Sequence, residues 1–300
     1  MKHLYFNKYF KSASILSIVL IIISITFLII KGLNFGVDFK GGTLIELRNN
    51  DNNISISNIR DSFNQMNLKG VTVKQFGNDT DYIIKFQSPE TQSATYINDL
   101  KSSLKNNLSA SLEFRRVENV GPKVSSELLR SGVIAISLSL FAMLLYIWIR
   151  FEWQFSLGAI VALFHDVILT LGIFSVFSLE INLSIVAAVL TIVGYSMNDT
   201  VVIYDRVRDN LRRYVNIKIF ELSNTSINET LSRTIITSLT TLLALLSIYL
   251  FGGEILKGFS FAMILGVIFG TYSSIYIACP VLVSLNVSQK TILREDKNKN

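Results

Sequence analysis

Two polar clusters interrupt long apolar runs in this chain: His165 and Asp166 after Phe164, and Asn198 and Asp199 after Met197. An ionisable side chain at membrane depth costs about 2.5–3.5 kcal/mol on insertion scales, so it marks a water-filled cavity, a partner, or a charge that must move. Proton binding is the simplest chemistry for a carboxylate there. Asp166 sits deeper by hydropathy and Asp199 lies nearer one end, and both remain candidates for the proton site. His165 beside Asp166 reads either as part of that pathway or as a static hydrogen-bonded brace. Asn198 and Asp199 would join helices by hydrogen bonding alone under a blander reading, although a neutral side chain would do so at lower desolvation cost.

These residues need helices to carry them. Half of the 300 residues are apolar and 17% are charged, well below the roughly 25% charged residues of soluble domains. Runs of about 18 apolar residues read as spanning helices. Six segments qualify or nearly so: 12–30, 133–149, 156–177, 181–204, 234–251 and 259–283. The first follows Lys2, Lys8 and Lys11 with no small-residue cleavage pattern, and reads as a retained signal anchor. The single cysteine, Cys279, leaves no intrachain disulfide to form.

A net charge of +6 raises the question of nucleic acid, but the distribution of charge answers it otherwise. Lys2, Lys8, Lys11, Arg150, Arg206, Arg208, Arg212, Arg213, Lys218, Arg233, Lys290, Arg294, Lys297 and Lys299 all fall on one side of a six-span layout, with Lys257 the exception. Basic loops stay in the cytoplasm, so both termini are expected there and no nucleic-acid partner is.

On a helix that turns by about 100° per residue, Gly194, Tyr195, Asn198, Asp199, Val202 and Arg206 share a broad face, with Gly194 and Ser196 expected to hold the backbone near a neighbour. The fifth span opens on Arg233 and carries Thr234, Thr237, Ser238 and Thr241 at one-face spacing. Either this stripe pairs with Asp199 and ordered water, or its hydroxyls bond back to their own helix. In the sixth span Gly258, Ala262, Gly266, Gly270, Ser274 and Ala278 recur at every fourth position, a device for close helix packing. Arg150 and Glu152, in a very short turn, are placed to clamp adjacent helices, while Trp153 and Phe155 suit an interface belt.

The expected organisation is residues 1–31 as tail and first span, 32–131 as a domain outside, 132–285 as the remaining five spans, and 286–300 as a cytoplasmic tail. Alternating runs at 43–48, 71–76, 82–86 and 111–116 predict strands, and 56–66 and 92–108 predict helices. The order β-α-β-β-α-β implies a ferredoxin-like sandwich. Its hairpin would turn through Gly77, Asn78 and Asp79, and a short helix at 123–130 would lead back to the membrane. That outside segment holds no histidine and no metal-ligand set, so no enzyme chemistry and no cofactor is implied.

Several motifs together resemble the SecD/SecF family of the resistance-nodulation-division (RND) superfamily. They are Gly32-Leu33-Asn34-Phe35-Gly36-Val37-Asp38-Phe39-Lys40-Gly41-Gly42-Thr43, Val120-Gly121-Pro122, Arg150-Phe151-Glu152-Trp153 and Ala162-Leu163-Phe164-His165-Asp166. The strongest is Gly194-Tyr195-Ser196-Met197-Asn198-Asp199-Thr200-Val201-Val202-Ile203-Tyr204-Asp205-Arg206, followed by Arg233-Thr234 and Leu250-Phe251-Gly252-Gly253. In length the chain resembles the family's smaller, SecF-type branch. The resemblance implies that Asp199 and Arg233 match the family's proton-pathway residues and that the outside domain is ferredoxin-like. It implies proton-driven assistance of protein export across the bacterial cytoplasmic membrane. The partners it implies are a SecD-like subunit, the SecYEG channel, an unfolded polypeptide in transit, a YajC-like protein and membrane lipids. Two rivals stand beside it: an RND half-transporter for small molecules or lipids, and a scaffold of the channel that transports nothing.

Overall fold

The computed structural model describes residues 4–49, 55–66, 68–75, 78, 80–87, 95–108, 112–214 and 217–292. They fall into two units, one of Met1–Asn34 with Ile134–Asn300 and one of Phe35–Val133. The expected turn at Gly77 and Asp79, the start of the helix expected at 92–108, Ser111 and the tail from 293 onward lie outside the described residues.

In the second unit, alternating β-branched and polar residues build strand β1 (Gly42–Asn49), then helix α2 (Ile56–Gln65), β2 (Thr72–Gln75), β3 (Asp81–Phe86), helix α3 (Tyr96–Asn107) and β4 (Leu112–Val120). The sheet order is β2-β3-β1-β4, with every pairing antiparallel. Strands β1 and β2 are therefore parallel with β3 between them, which is the split βαβ arrangement of a ferredoxin-like sandwich. Ile45 pairs with Ile84, and a register shift between Glu46 and Leu47 adjusts β1 to β4. Ile45, Leu47 and Ile84 pack with Ile59 and Phe63 of α2 and Leu100 and Leu104 of α3. Ser55 caps α2, its Oγ accepting from Asn58 N at 3.3 Å.

Gly41 and Gly42 turn the chain into β1 at φ +75° and +135°. A Cβ at Gly42 would lie 2.7 Å from the Phe86 carbonyl oxygen, so only glycine fits.

Arg48 holds Asp81 with two hydrogen bonds, at 2.6 and 2.8 Å, across the β1–β3 pair. The hydrogen bond from Arg48 is the main cause that lowers the Asp81 carboxyl below its ordinary 3.8, outweighing the opposing effect of burial. A depressed carboxylate stabilises the fold above its unfolded value and loses that contribution as pH falls through the folded one. We expect Asp81→Asn to speed amide exchange in β1 and β3 at neutral pH. The difference from wild type should close as pH falls below 3.8. Equal exchange at neutral pH would show that the pair contributes nothing.

The other unit is built from long helices, and the chain is a multi-pass membrane protein. Helix α1 covers Phe10–Ile30, α4 Pro122–Arg150, α5 Trp153–Val176, α6 Leu183–Arg213, α7 Ile219–Phe251 and α8 Glu254–Ser273. A π turn, Ser274–Ala278, joins α8 to α9 (Cys279–Ser284). Among the described residues six helical stretches are long and apolar enough to cross a membrane, the last being Leu256–Ser284.

Three elements differ from the sequence reading. The helix expected at 123–130 and the second span are one helix, Pro122–Arg150, because Pro122 starts it and Gly132 alone does not break it. Helix α7 starts well before its apolar part; Asn224 and Asn228 there bind both backbone groups of Leu4, with Leu4 N donating to Asn228 Oδ1 at 2.9 Å. The sixth span is interrupted because Pro280 supplies no N–H and its ring would crowd the carbonyl four residues back, at Tyr276; the chain widens to π geometry at that point.

Candidate functional site

Asp166 is fully buried where α5, α6 and α8 meet. Ser196 Oγ of α6 and Ser273 Oγ of α8 both donate to its Oδ2, at 2.6 and 2.8 Å. His165 Nδ1 lies 2.8 Å from Oδ1. The imidazole stacks on Tyr272 with ring centroids 5.9 Å apart, and Tyr272 Oη donates to Ala13 O of α1 at 2.9 Å. Asp166 thus ties α5, α6 and α8 together, and the Tyr272 hydroxyl extends the network to α1.

Asp199 lies about one turn beyond Ser196 on α6 and is also buried. Its Oδ2 accepts from Thr271 Oγ1 of α8 at a long 3.5 Å, and Thr271 Oγ1 shares a 2.7 Å bond with Ser238 Oγ of α7. One weakly held carboxylate therefore joins α6, α7 and α8 through two hydroxyls.

The remaining predicted residues separate. Among the described residues no ion pair joins Asp199 to Arg233, and Arg233 is exposed. Asn198 is exposed beside buried Asp199, so the two neighbours point apart. Gly194, expected to bring a helix close, has no neighbour within 4 Å of the point a Cβ would occupy; Ser196 fills that role instead. In the hydroxyl stripe, Ser238 faces inward toward Asp199. Thr237 and Thr241 bond back to carbonyls of their own helix at 2.8–3.0 Å, and Thr234 Oγ1 is buried without a partner among the described residues.

The small-residue ladder of the sixth span lies along α6. A Cβ on Gly258 would sit 3.2 Å from Ile185 Cδ1, one on Gly266 would collide with the Ile192 side chain, and one on Gly270 would come within 3.1 Å of Ser196 Cα. Ala262 is fully buried, and Ser274 Oγ bonds Thr200 Oγ1 at 2.8 Å. Close packing here brings Ser273 and Thr271 to the two carboxylates, so the ladder sets the site's dimensions.

Charge pairs close one end of the bundle. Arg150 Nη2 meets Asp205 Oδ1 at 2.7 Å, Arg208 Nη2 meets buried Glu152 at 2.8 Å, and Arg206 Nε meets Glu229 at 2.7 Å. The first two hold the α4–α5 turn to α6. Among the described residues no group of three or more His, Cys, Asp or Glu is placed to hold a metal ion.

Sequence reasoning missed Ser273, Thr271, Tyr272, Gly158 and Gly172 as contributors. Gly158 makes room for Tyr204, whose Oη donates to Ala278 O at 3.0 Å, and Gly172 makes room for Ser24 of α1. Isolated small or hydroxyl residues in an apolar run carry no periodic signal, so nothing in the sequence marked them.

A family model described as "Protein export membrane protein SecD/SecF, C-terminal" matches residues 99–288, and one described as "SecD/SecF GG Motif" matches residues 26–48. The protein translocase subunit SecF of Rickettsia bellii is 46% identical over 92% of this chain and 91% of the relative. The chain belongs to the SecD/SecF family. SecF of Rickettsia rickettsii is 45% identical over 96% of this chain and 95% of its own length. The crystal structure of SecDF from Thermus thermophilus, a translocon-associated membrane protein, superposes with a TM-score of 0.83 at 33% identity, covering 94% of this chain. A SecDF structure in a super-membrane-facing form gives 0.69 at 32% identity over all of it. The chain spans 38% and 40% of those two SecDF chains. The stretch matched by the GG-motif model contains the adjacent pair Gly41 and Gly42, whose backbone shapes the entry to β1.

Proposed function

We propose that this chain is the SecF-type subunit of a Sec accessory complex, coupling proton-motive force to export of proteins across the bacterial cytoplasmic membrane. The observation that carries the reading is Asp199: a buried carboxylate approached by Thr271 at a long 3.5 Å, in a chain 46% identical to a SecF subunit. Such a group binds and releases a proton with little to rearrange around it. Protonation removes the buried charge, ends its attraction to Arg233, and leaves the Thr271–Ser238 link free to shift α7 and α8 against α6.

A SecD-like subunit supplies the second half of the assembly, since the SecDF chains are more than twice as long as this one. Exposed apolar faces on α1 (Ile15, Ile18, Ile22), α4 (Leu138, Phe141, Leu145) and α7 (Ile236, Leu239, Leu243) suit lipid and that partner. In this arrangement residues 32–131 form a domain outside that handles the unfolded polypeptide leaving the SecYEG channel. Both termini, including the tail 286–300, are cytoplasmic, and a YajC-like protein is a further partner. The exporter of small molecules and the silent scaffold have no observation in their favour.

Co-expression tests the assembly. The chain is expected to purify with a SecD-like subunit, and vesicles holding the pair should take up protons when energised, while a reporter fused after Asp61 reads outside. Failure to co-purify, no flux from the pair, or a cytoplasmic Asp61 reporter would each overturn the corresponding part.

A further inference from the structure

Three hydrogen-bond donors converge on Asp166. Ser196 Oγ and Ser273 Oγ donate to Oδ2, at 2.6 and 2.8 Å, and His165 Nδ1 lies 2.8 Å from Oδ1. An ionised carboxylate is acceptor-only, so it can accept from all three of these groups, while burial makes its charge costly. A proton on Nδ1 leaves Nε2 of a neutral ring as an acceptor, and that Nε2 is buried with no hydrogen-bond partner among the described residues. Tyr272 does not supply one: its hydroxyl is taken by Ala13 O at 2.9 Å and Ser17 Oγ at 3.0 Å.

We infer that His165 and Asp166 are a second proton-binding unit of the bundle, distinct from Asp199, and that the proton is taken up at His165 Nε2. The inference rests on the proton-driven reading only for its use, not for its chemistry. Uptake turns a lone buried carboxylate beside a neutral ring into an imidazolium–carboxylate pair with no net charge, the cheaper state in a low-dielectric interior. All three donors to Asp166 stay in place, so the junction of α5, α6 and α8 survives both states. The Tyr272 ring lies against the imidazole at 23°, where its π face favours a cation.

The surrounding groups leave Asp166 as the counter-charge. Among the described residues, the elements packed against α5 carry Lys11 and Lys31 at the ends of α1, Tyr195, Asp199, Tyr204, Asp205, Arg206, Arg208, Asp209, Arg212 and Arg213 on α6, Lys257 and Tyr272 on α8, Tyr276 in the π turn and Cys279 on α9. Among the described residues the imidazole has one ion-pair partner, Asp166.

The chain holds two histidines, His3 and His165, so His3→Gln leaves a single ring to observe. With 15N-histidine in the full chain, co-purified with its SecD-like subunit in lipid vesicles, both ring nitrogens of His165 are expected to move to imidazolium values as the medium is taken from alkaline to acidic. A neutral Nδ1–H ring at every pH would make the pair a static brace and overturn the proposal. His165→Asn keeps an amide donor near the Nδ1 position and has no second proton site, so it should assemble yet take up about one proton fewer per chain. Equal uptake would also overturn it. In Asp199→Asn the His165 signal should titrate unchanged, whereas a frozen ring would end the claim of a separate unit. Proton flux in that variant reports on Asp199 alone, so failure of either reading is visible without the other.

Discussion

Asp199→Asn is expected to assemble normally and to conduct no protons. Asparagine keeps the shape of the side chain and still offers an oxygen to Thr271 Oγ1, which approaches Asp199 at 3.5 Å, so the packing of α6 against α8 has no reason to change. What it loses is the ability to alternate between charged and neutral forms. One elementary charge crossing the membrane is worth about 2.3 kcal/mol per 100 mV, a bias of roughly fiftyfold between two states. Without an ionisable group at this position that bias has nothing to act on, and proton uptake and export in energised vesicles should both fall to background. Arg233→Met should do similar damage by removing the nearby cation. Arg233→Lys should restore part of the function, since lysine keeps the charge, as a compact point charge on a flexible stem. Wild-type flux through Asp199→Asn would exclude this carboxylate as the carrier and leave the His165–Asp166 unit as the remaining buried acid.

Gly266→Leu is expected to disrupt the bundle itself. Even a single Cβ there would collide with the Ile192 side chain, and a leucine adds three further carbons between two helices packed at backbone distance. Overpacking costs about 1–3 kcal/mol and occasionally more. With rigid helices on both sides we expect the upper end, about 3 kcal/mol or more, read as a fall in thermal stability and loss of the monodisperse species in detergent. Gly194→Leu is the control: its Cβ position is open, so the variant should assemble with near-normal stability. Gly270→Leu should go further than either. It presses on the backbone of Ser196 at 3.1 Å and so displaces a donor to Asp166. Unchanged stability of Gly266→Leu would mean that α6 and the sixth span do not pack through this ladder.

Patterns that repeat along one element were legible in the sequence. The six apolar runs, the β-α-β-β-α-β order between the first two of them and the four-residue ladder from Gly258 to Ala278 all follow from local periodicity, and local periodicity needs no knowledge of neighbours. Boundaries were less legible. Helix α7 extends back to Ile219 because its polar start is held by the amino-terminal segment, a contact more than 200 residues away in sequence. The π turn at Ser274–Ala278 follows from Pro280, a local cause, but one that apolar continuity concealed.

The two carboxylates mark the division most clearly. Their presence in apolar runs was enough, by desolvation cost alone, to single them out as candidate functional residues. Which groups touch them was not in the sequence at all. Asp166 draws Ser196 from 30 positions away and Ser273 from 107. Asp199 meets Thr271 across 72, while its immediate neighbour Asn198 turns outward. Adjacent residues on a helix point about 100° apart, so nearness in sequence does not make a shared site. The residue types and their depth were set by composition and periodicity. The hydrogen-bond partners, and with them the proton chemistry each acid can support, were set only when three helices closed around them.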